Sequence, residues 1–229
     1  MSEFTVMIAA TPGAWTRRAE RALGSIQRYA PDVPGLIWSY RRGTTIGDVA
    51  RFDGLLRIET PWILHLDADV VATGDVRPIM EQLAASGKEF LGRRDFLHDH
   101  PEWHQDRYEE MILDARLSYR SVAWGHFALS RDLARRIMPR LGHWMKWFLS
   151  YRPLILDRGH DKCHHQLSIT MALAEAGIGD VETHWVGSDV FSSHSYPELG
   201  LIHHFNGQIY KQLEREGRLE SSIEERRHG

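Results

Sequence analysis

The chain has 229 residues, and 28 lysine and arginine residues against 31 aspartate and glutamate residues give a formal charge of −3. This slightly acidic balance excludes a chain-wide basic surface for binding nucleic acid phosphates, although a local basic groove stays open. No stretch approaches the ~20 consecutive apolar residues of a membrane-spanning helix, and the single cysteine, Cys163, excludes an internal disulfide. We therefore expect one cytoplasmic domain over residues 1–229.

The first third of the chain alternates between strand-like and helix-like patterns. Apolar runs over residues 4–10, 36–40 and 62–66 have the length of buried strands. A helical pattern follows each run, the second over residues 49–56 and the third around residues 79–83. Strands that alternate with helices predict an α/β fold with a mostly parallel, twisted sheet flanked by helices.

The rest of the chain continues this alternation less regularly. A strand is predicted at Phe90-Leu91, and helices are predicted over residues 133–141 and 166–176. Residues 95–106 are polar and rich in histidine, as is typical of a surface loop that covers a binding site. The charged tail from about residue 214 predicts an exposed helix or a frayed end.

Two carboxylates follow the third predicted strand, separated by one small residue. In an extended chain Asp67 and Asp69 point the same way across Ala68. Their charges repel beside an apolar core unless a cation joins them, and oxygen ligands suit Mg²⁺ or Mn²⁺. The pair also falls beyond the carboxyl end of a strand, where open α/β sheets bind ligands. The alternative is a solvated turn or a cap of the next helix.

Residues 64–76, LHLDADVVATGDV, resemble the metal-binding segment of glycosyltransferase family 8, whose members have the GT-A fold. The resemblance implies that Asp67 and Asp69 bind a Mn²⁺ or Mg²⁺ ion that bridges the diphosphate of a nucleotide sugar. Residues 201–207, LIHHFNG, resemble the H-x-x-G element of that family. In that element His204 would be the third metal ligand and Gly207 the glycine.

Further positions match the donor site of the family. Arg51 stands where the family carries an arginine near the donor phosphates, and Lys211 is the lysine nearest to the position of a diphosphate-binding lysine, which Tyr210 occupies here. The end of the first strand, formed by Ala9, Ala10 and Thr11, matches the place of the nucleoside. The resemblance thus implies a glycosyltransferase with a nucleotide-diphosphate sugar as its donor, and we expect the nucleotide to be UDP.

The chain departs from the family pattern at two places. Ala123-Trp124-Gly125 replaces an Asn-Ser-Gly segment, so an asparagine that contacts the sugar is missing. His165-Gln166 replaces an Asp-Gln pair. These departures make the GT-A superfamily a safer assignment than family 8 itself.

Three residues are candidates for catalysis of sugar transfer. The reacting carbon develops oxocarbenium character, which a nearby oxygen donor or carboxylate stabilises, and Gln166 and Asp161 could provide one. An inverting enzyme needs a general base, for which Asp161 or His165 would serve. The resemblance implies retention, which needs no such base. The alternative is an amphipathic helix whose polar residues only face solvent.

Two adjacent histidines compete for the third ligand position. A strand presents His203 and His204 to opposite faces, so only one of them can readily join Asp67 and Asp69. The apolar pattern of the strand does not choose between them. The H-x-x-G match favours His204.

Other functions also fit parts of the sequence. A haloacid-dehalogenase-like phosphatase uses a D-x-D after an apolar strand, but places it at the first strand. A non-catalytic nucleotide-binding module would account for the altered catalytic positions. The acceptor is open among a glycan, a lipid-linked sugar, a protein and a modified nucleobase.

Two weaker patterns complete the sequence. The cluster of His98, His100 and His104 could bind zinc, although a solvated or acceptor-facing loop fits the unspecific spacing better. Trp144 and Trp147 recur at helical spacing and predict a core-facing stripe rather than a membrane-facing or sugar-binding surface.

Overall fold

The structure is a computed structural model that describes residues 3–41, 49–94, 122–150, 164–193, 199–205 and 207–228. The strands are β1 (Phe4–Ala10), β2 (Gly35–Ser39), β3 (Trp62–Asp67), β4 (Val70–Ala72), β5 (Phe90–Arg94), β6 (Val122–Ser130), β7 (Thr183–Trp185), β8 (Phe191–Ser193) and β9 (Ile202–His204). The helices are α1 (Ala14–Gln27), α2 (Arg77–Ala85), α3 (Arg131–Ser150), α4 (His164–Glu175), α5 (Gly207–Glu216) and α6 (Leu219–His228), together with a short 3-10 helix (Asp53–Arg57).

The larger sheet has the strand order β2-β1-β3-β6-β5-β7. Strand β6 runs antiparallel to both of its neighbours, whereas the other pairings of this sheet are parallel. The prediction of a mostly parallel sheet flanked by helices is therefore confirmed, with one reversed strand at its centre. A smaller sheet, in the order β4-β9-β8, lies beyond the carboxyl end of β3.

Helices cover both faces of the larger sheet because its strands carry apolar side chains on both sides. One face packs on α3, α4 and the 3-10 helix, through buried side chains such as Met7, Phe127 and Ile137. The other face packs on α1, α2 and the smaller sheet, through side chains such as Ile8 and Leu64. Trp144 lies in the first cluster with Trp147 packed against it, as the sequence predicts.

The segment before β3 differs in detail from the sequence prediction. The helical pattern predicted over residues 49–56 gives only a short helical turn and the 3-10 helix in the described residues. Gly54 lies against Trp38 and Met7, where a Cβ atom would come within 2.6 Å of the indole. The short helix is therefore packed directly onto β1 and β2.

The charged tail is helical, and one of its faces is buried. Leu219 and Ile223 of α6 pack with Phe205, Tyr210 and Leu213 in a third apolar cluster. The tail therefore contributes to the packing beside β9 instead of extending freely into solvent.

Within the residues that the structure describes, no helix combines the length and the apolar character needed to cross a membrane.

Candidate metal centre

Asp67 is the last residue of β3, at the carboxyl edge of the larger sheet. The register of the parallel pair β1 and β3 places Ala9 directly beside it. On the other side, a Cβ atom at Gly125 of β6 would lie 2.7 Å from Oδ2 of Asp67. Because Ala9 and Gly125 are small, the carboxylate has room to face the space beyond the strand ends, where open α/β sheets bind ligands.

Asp69 and His204 meet because the chain turns sharply after β3. Strand β4 pairs with β9 so that Val70 lies opposite His204, and the backbone N–H of Phe205 donates to the carbonyl oxygen of Asp69 at 2.9 Å. This pairing brings Nε2 of His204 to 3.2 Å from Oδ1 of Asp69 and to 4.0 Å from Oδ2 of Asp67.

The three side chains form a cluster with the donor set of a divalent cation site. One ligand atom each from Asp67, Asp69 and His204 lies within 4.8 Å of the others. Two carboxylates and one imidazole suit Mn²⁺ and also accept Mg²⁺. Asp69 is buried and Asp67 is half-buried, so without a cation the mutual repulsion of the carboxylates is poorly screened.

Arg51 supplies one positive charge to this cluster through an ion pair between its Nη2 and Oδ1 of Asp67. The guanidinium is almost entirely buried, with 8% of the side chain exposed. Its position is set by the neighbouring residues, since the indole of Trp38 donates to the carbonyl of Ala50 at 2.7 Å. Phe52 packs its ring on His65 with the centroids 5.3 Å apart. The resemblance places Arg51 near the donor phosphates, and in this structure its guanidinium contacts Asp67.

His126 and His65 are two buried histidines on opposite faces of the sheet, near the cluster. Neither ring nitrogen of either residue has a hydrogen-bond partner in the described structure. Burial holds the pKa of both imidazoles well below the usual value, with Arg51 adding to the shift of His65 and His204 to that of His126. Both rings are therefore neutral at physiological pH.

His126 lies closer to the cluster than His65 does. Its ring contacts the ring of His204 edge-on, with the centroids 5.7 Å apart, and that of Phe191 at 4.8 Å. His65 instead packs between Phe52 and Phe127. His126 is thus the buried imidazole in direct contact with a member of the cluster.

His203 points away from the carboxylates and is fully buried. Its Nδ1 lies 2.8 Å from the hydroxyl oxygen of Ser192, which in turn accepts the backbone N–H of Gly200 at 2.8 Å. The ring also packs edge-on against Phe205. The structure thus separates the two adjacent histidines, with His204 on the side of Asp67 and Asp69.

The predicted donor residues lie along the same edge of the sheet. Ala9 and Ala10 end β1, Thr11 follows them half-buried, and Ala68 is buried in the turn between the aspartates. Gly207 begins α5, directly after β9 and the following loop. Lys211 is exposed on α5, and no contact joins it to the three-residue cluster in the described part of the chain.

The predicted catalytic residues are only partly described. His165 and Gln166 lie in the first turn of α4, whose backbone is described. Asp161 lies outside the described residues, as do His98, His100 and His104. The structure therefore tests neither the pairing of Asp161 with His165 nor the histidine cluster of the long loop.

Tyr210 occupies the position where the family resemblance expects a lysine, and it has a structural role. It is fully buried, and its hydroxyl accepts a hydrogen bond from Nη1 of Arg21 at 3.2 Å. Nearby, Nη2 of Arg18 donates to Oε2 of Glu214 at 2.5 Å. These contacts dock α5 onto α1 and so fix the segment that follows His204.

Sequence reasoning missed two residues that the structure places at the cluster. The sequence patterns include Gly125 only as part of a departure from the family pattern, and they predict no role for His126. A glycine followed by a histidine within an apolar strand was the available signal, because both residue types are unusual in a strand core.

The sequence matches no family model, and no curated protein matches it. Solved structures do match the fold. The galactosyltransferase LgtC, in a complex with donor and acceptor sugar analogs, aligns with a TM-score of 0.59 at 13% identity, over 89% of this chain and 87% of that one. Mouse xyloside xylosyltransferase 1 aligns with a TM-score of 0.51 at 13% identity, over 90% and 98% of the two chains.

A third match extends over part of a longer protein. The bifunctional glycosyltransferase WbbM aligns with a TM-score of 0.57 at 8% identity, over 89% of this chain and 46% of that one. These likenesses show that the chain has the GT-A fold, the fold predicted from the sequence. At 8–13% identity these likenesses show the fold alone.

Proposed function

We propose that this protein is a metal-dependent glycosyltransferase that takes its sugar from a nucleotide-diphosphate donor, most simply a UDP-sugar. The observation that carries the proposal is the convergence of Asp67, Asp69 and His204 at the carboxyl edge of a GT-A sheet. A bound Mn²⁺ or Mg²⁺ ion would supply a Lewis acid that stabilises the charge of the departing diphosphate. The structural neighbours are themselves glycosyltransferases.

The residues around the cluster fit the requirements of such a donor site. We place the nucleoside at the end of β1, where Ala9 and Ala10 are small and buried and Thr11 is half-buried. Gly207 at the start of α5 lets the backbone approach the phosphates closely, and Lys211 on the same helix would add a positive charge. Arg51 serves this site through Asp67, whose carboxylate it orients.

The transfer step is proposed to proceed with retention of the anomeric configuration. Gln166 would then offer its amide oxygen to the reacting centre, and Asp161 or His165 would act as a general base only in an inverting enzyme. The first turn of α4 is consistent with this role, because α4 precedes β7 in a parallel crossover and so begins near the carboxyl edge of the sheet. NMR of the first product decides between the two outcomes.

The position of the D-x-D does not fit the phosphatase alternative. The motif begins at the last residue of β3, the third strand along the chain, whereas those phosphatases place it at the first strand. A non-catalytic nucleotide-binding module remains the contrasting outcome. The acceptor, which we leave open among glycans, lipid-linked sugars, proteins and nucleobases, and the cytoplasmic location both remain predictions from the sequence.

Calorimetry of UDP binding with Mn²⁺ and with EDTA tests the donor site directly. We expect binding to require the cation, since the diphosphate and the carboxylates of Asp67 and Asp69 otherwise repel each other. The variant Asp69→Asn should lose the cation-dependent part of its UDP affinity, while its melting temperature stays near that of the wild type. Equal affinity for UDP in Mn²⁺ and in EDTA would refute the metal-bridged donor.

A further inference from the structure

His204 directs Nε2 towards the carboxylates of Asp67 and Asp69, so Nδ1 is the ring nitrogen that does not face them. Among the described residues no group pairs with Nδ1 of His204. A histidine that binds a metal nearly always donates its second ring N–H to an acceptor, which fixes the tautomer and the orientation of the ring. The acceptor for Nδ1–H is therefore either water or a protein group that packs against this ring.

His126 has the position and the chemistry of that acceptor. Its ring contacts the ring of His204 edge-on, only 4% of the residue is exposed, and neither of its nitrogens has a hydrogen-bond partner among the residues that the structure describes. A neutral imidazole offers one acceptor and one donor nitrogen. Since unpaired buried polar groups are rare and costly, a buried imidazole with no partner in the described part of the chain points to a function.

We propose that His126 is the positioning residue of the metal centre, accepting a hydrogen bond from Nδ1–H of His204 when a divalent ion engages Nε2. This inference rests on the proposed function, because it assumes that Asp67, Asp69 and His204 bind the ion. It assigns His126 no contact with the ion or the substrate. Its effect is to hold His204 in the tautomer whose Nε2 lone pair faces the carboxylates.

The strand register explains why His126 can reach His204. His126 pairs with Leu66 across β3 and β6, so it lies one residue from the level of Asp67 and points to the face that packs on the smaller sheet. Phe191 of β8 and His204 of β9 lie on that face. Strand β6 of the larger sheet thus places the imidazole of His126 beside His204, which strand β9 of the smaller sheet supplies.

The variant His126→Phe keeps an aromatic ring of similar size and removes both nitrogens. We expect the Mn²⁺ affinity measured by calorimetry to fall about tenfold, the size of effect that lost outer-shell partners produce. The melting temperature of the metal-free protein should stay the same or rise, because an unpaired buried polar group is removed. His126→Asn, which keeps an acceptor, should recover part of the affinity.

His65→Phe is the matched control, since His65 is also buried and also has no hydrogen-bond partner among the described residues, but it packs between Phe52 and Phe127. It should leave the Mn²⁺ affinity within about twofold of the wild type, well short of the effect expected of an outer-shell partner. Asp69→Asn separates the two proposals. If the wild type binds no Mn²⁺, the proposed metal site fails; if Asp69→Asn abolishes binding and His126→Phe does not weaken it, only the role of His126 fails.

A spectroscopic measurement on the unaltered protein keeps the test independent of how the variants fold. In the ¹⁵N spectrum of the histidines with saturating Mg²⁺, Nδ1 of His204 should carry a proton that is coupled through a hydrogen bond to a nitrogen of His126. A His204 ring protonated at Nε2, or a Nδ1 proton without that coupling, would overturn the proposal.

Discussion

Gly125 and Asp67 lie side by side on neighbouring strands, so close that a Cβ atom on the glycine would stand 2.7 Å from Oδ2 of the aspartate. The same Cβ would stand 3.7 Å from Cε1 of His204. No L side chain fits there without moving the carboxylate. The absence of a side chain at Gly125 is thus part of the geometry of the candidate metal centre.

The variant Gly125→Ala should therefore weaken Mn²⁺ binding by displacing the carboxylate of Asp67. We expect a loss of about tenfold or more, as for other changes beside a metal ligand. Calorimetry with Mn²⁺ in the absence of nucleotide measures it. The control is Gly142→Ala, because a Cβ at Gly142 in α3 meets no atom within 4 Å. That variant should bind Mn²⁺ normally and be slightly more stable. Identical affinities in the two variants would contradict this account.

Replacing Arg51 by methionine should leave Asp67 half-buried without its positive partner. Removing one member of a buried ion pair costs about 3 kcal/mol, and the side chains of Arg51 and Asp67 are only 8% and 13% exposed. Mn²⁺ should raise the melting temperature of this variant more than that of the wild type, because the ion then supplies the missing charge.

The control for Arg51 is Arg136→Met, which breaks a surface pair with Glu89 whose side chains are 46% and 38% exposed. Exposed pairs contribute at most about 1 kcal/mol, so this variant should melt near the wild type and respond to Mn²⁺ in the same way. An equal Mn²⁺ response of both arginine variants would show that Arg51 does not serve the metal centre.

Alanine variants of His203 and His204 should differ in both Mn²⁺ affinity and stability. His204→Ala removes the imidazole beside Asp69, so Mn²⁺ binding should fall sharply while the metal-free protein stays folded. His203→Ala removes a fully buried ring that hydrogen-bonds Ser192, so it should lower the stability by about 3 kcal/mol, as other large-to-small core changes do. Melting curves and Mn²⁺ titrations of both variants measure the contrast. A reversed pattern would mean that His203 faces the metal.

The contact between Arg18 and Glu214 should make the docking of α5 depend on pH. The hydrogen bond from Arg18 holds the pKa of the Glu214 carboxyl below its usual range, and Arg18 itself is almost fully buried. A carboxyl whose pKa is lowered on folding stabilises the protein above its unfolded pKa, and this contribution is lost as the pH falls through the folded pKa. Glu214→Gln should therefore cost about 2 kcal/mol near pH 7.

Chemical denaturation at several pH values tests this dependence. The stability difference between the wild type and Glu214→Gln should stay constant down to about pH 4.3, the usual pKa of glutamate, and shrink below it. The control is Glu220→Gln, because Glu220 lies on the exposed side of α6. Its stability difference from the wild type should not change with pH. A wild-type advantage that does not change with pH would mean that the charge of Glu214 is unimportant.

The sequence predicted what depends on local pattern. Apolar runs marked β1, β2 and β3, and the spacing of Asp67 and Asp69 at the end of β3 marked the centre of the site, because strand ends and side-chain alternation are set by neighbouring residues. Strand β6 and its reversed direction were not predicted, since the position and direction of this strand depend on its pairing partners.

The remaining parts of the site depend on contacts between distant segments. Gly125 meets Asp67 across a strand pairing, and Arg51 reaches Asp67 only because Trp38 and Phe52 anchor its segment. The buried face of α6 needs Phe205 and Tyr210 as partners. The contacts of Gly125 and Arg51 leave no periodic signal in the sequence, and the spacing of Leu219 and Ile223 does not say what they pack against, so these contacts required the three-dimensional structure.

The most direct test of the account is to incubate the protein with a set of nucleotide-diphosphate sugars and Mn²⁺, and to measure the release of free nucleoside diphosphate beside the Asp69→Asn variant. A glycosyltransferase with its donor site at Asp67, Asp69 and His204 should release the nucleotide from at least one donor, only with the cation, and not in the variant. Release that persists in EDTA or in Asp69→Asn, or no release from any donor, would contradict a metal-dependent glycosyltransferase.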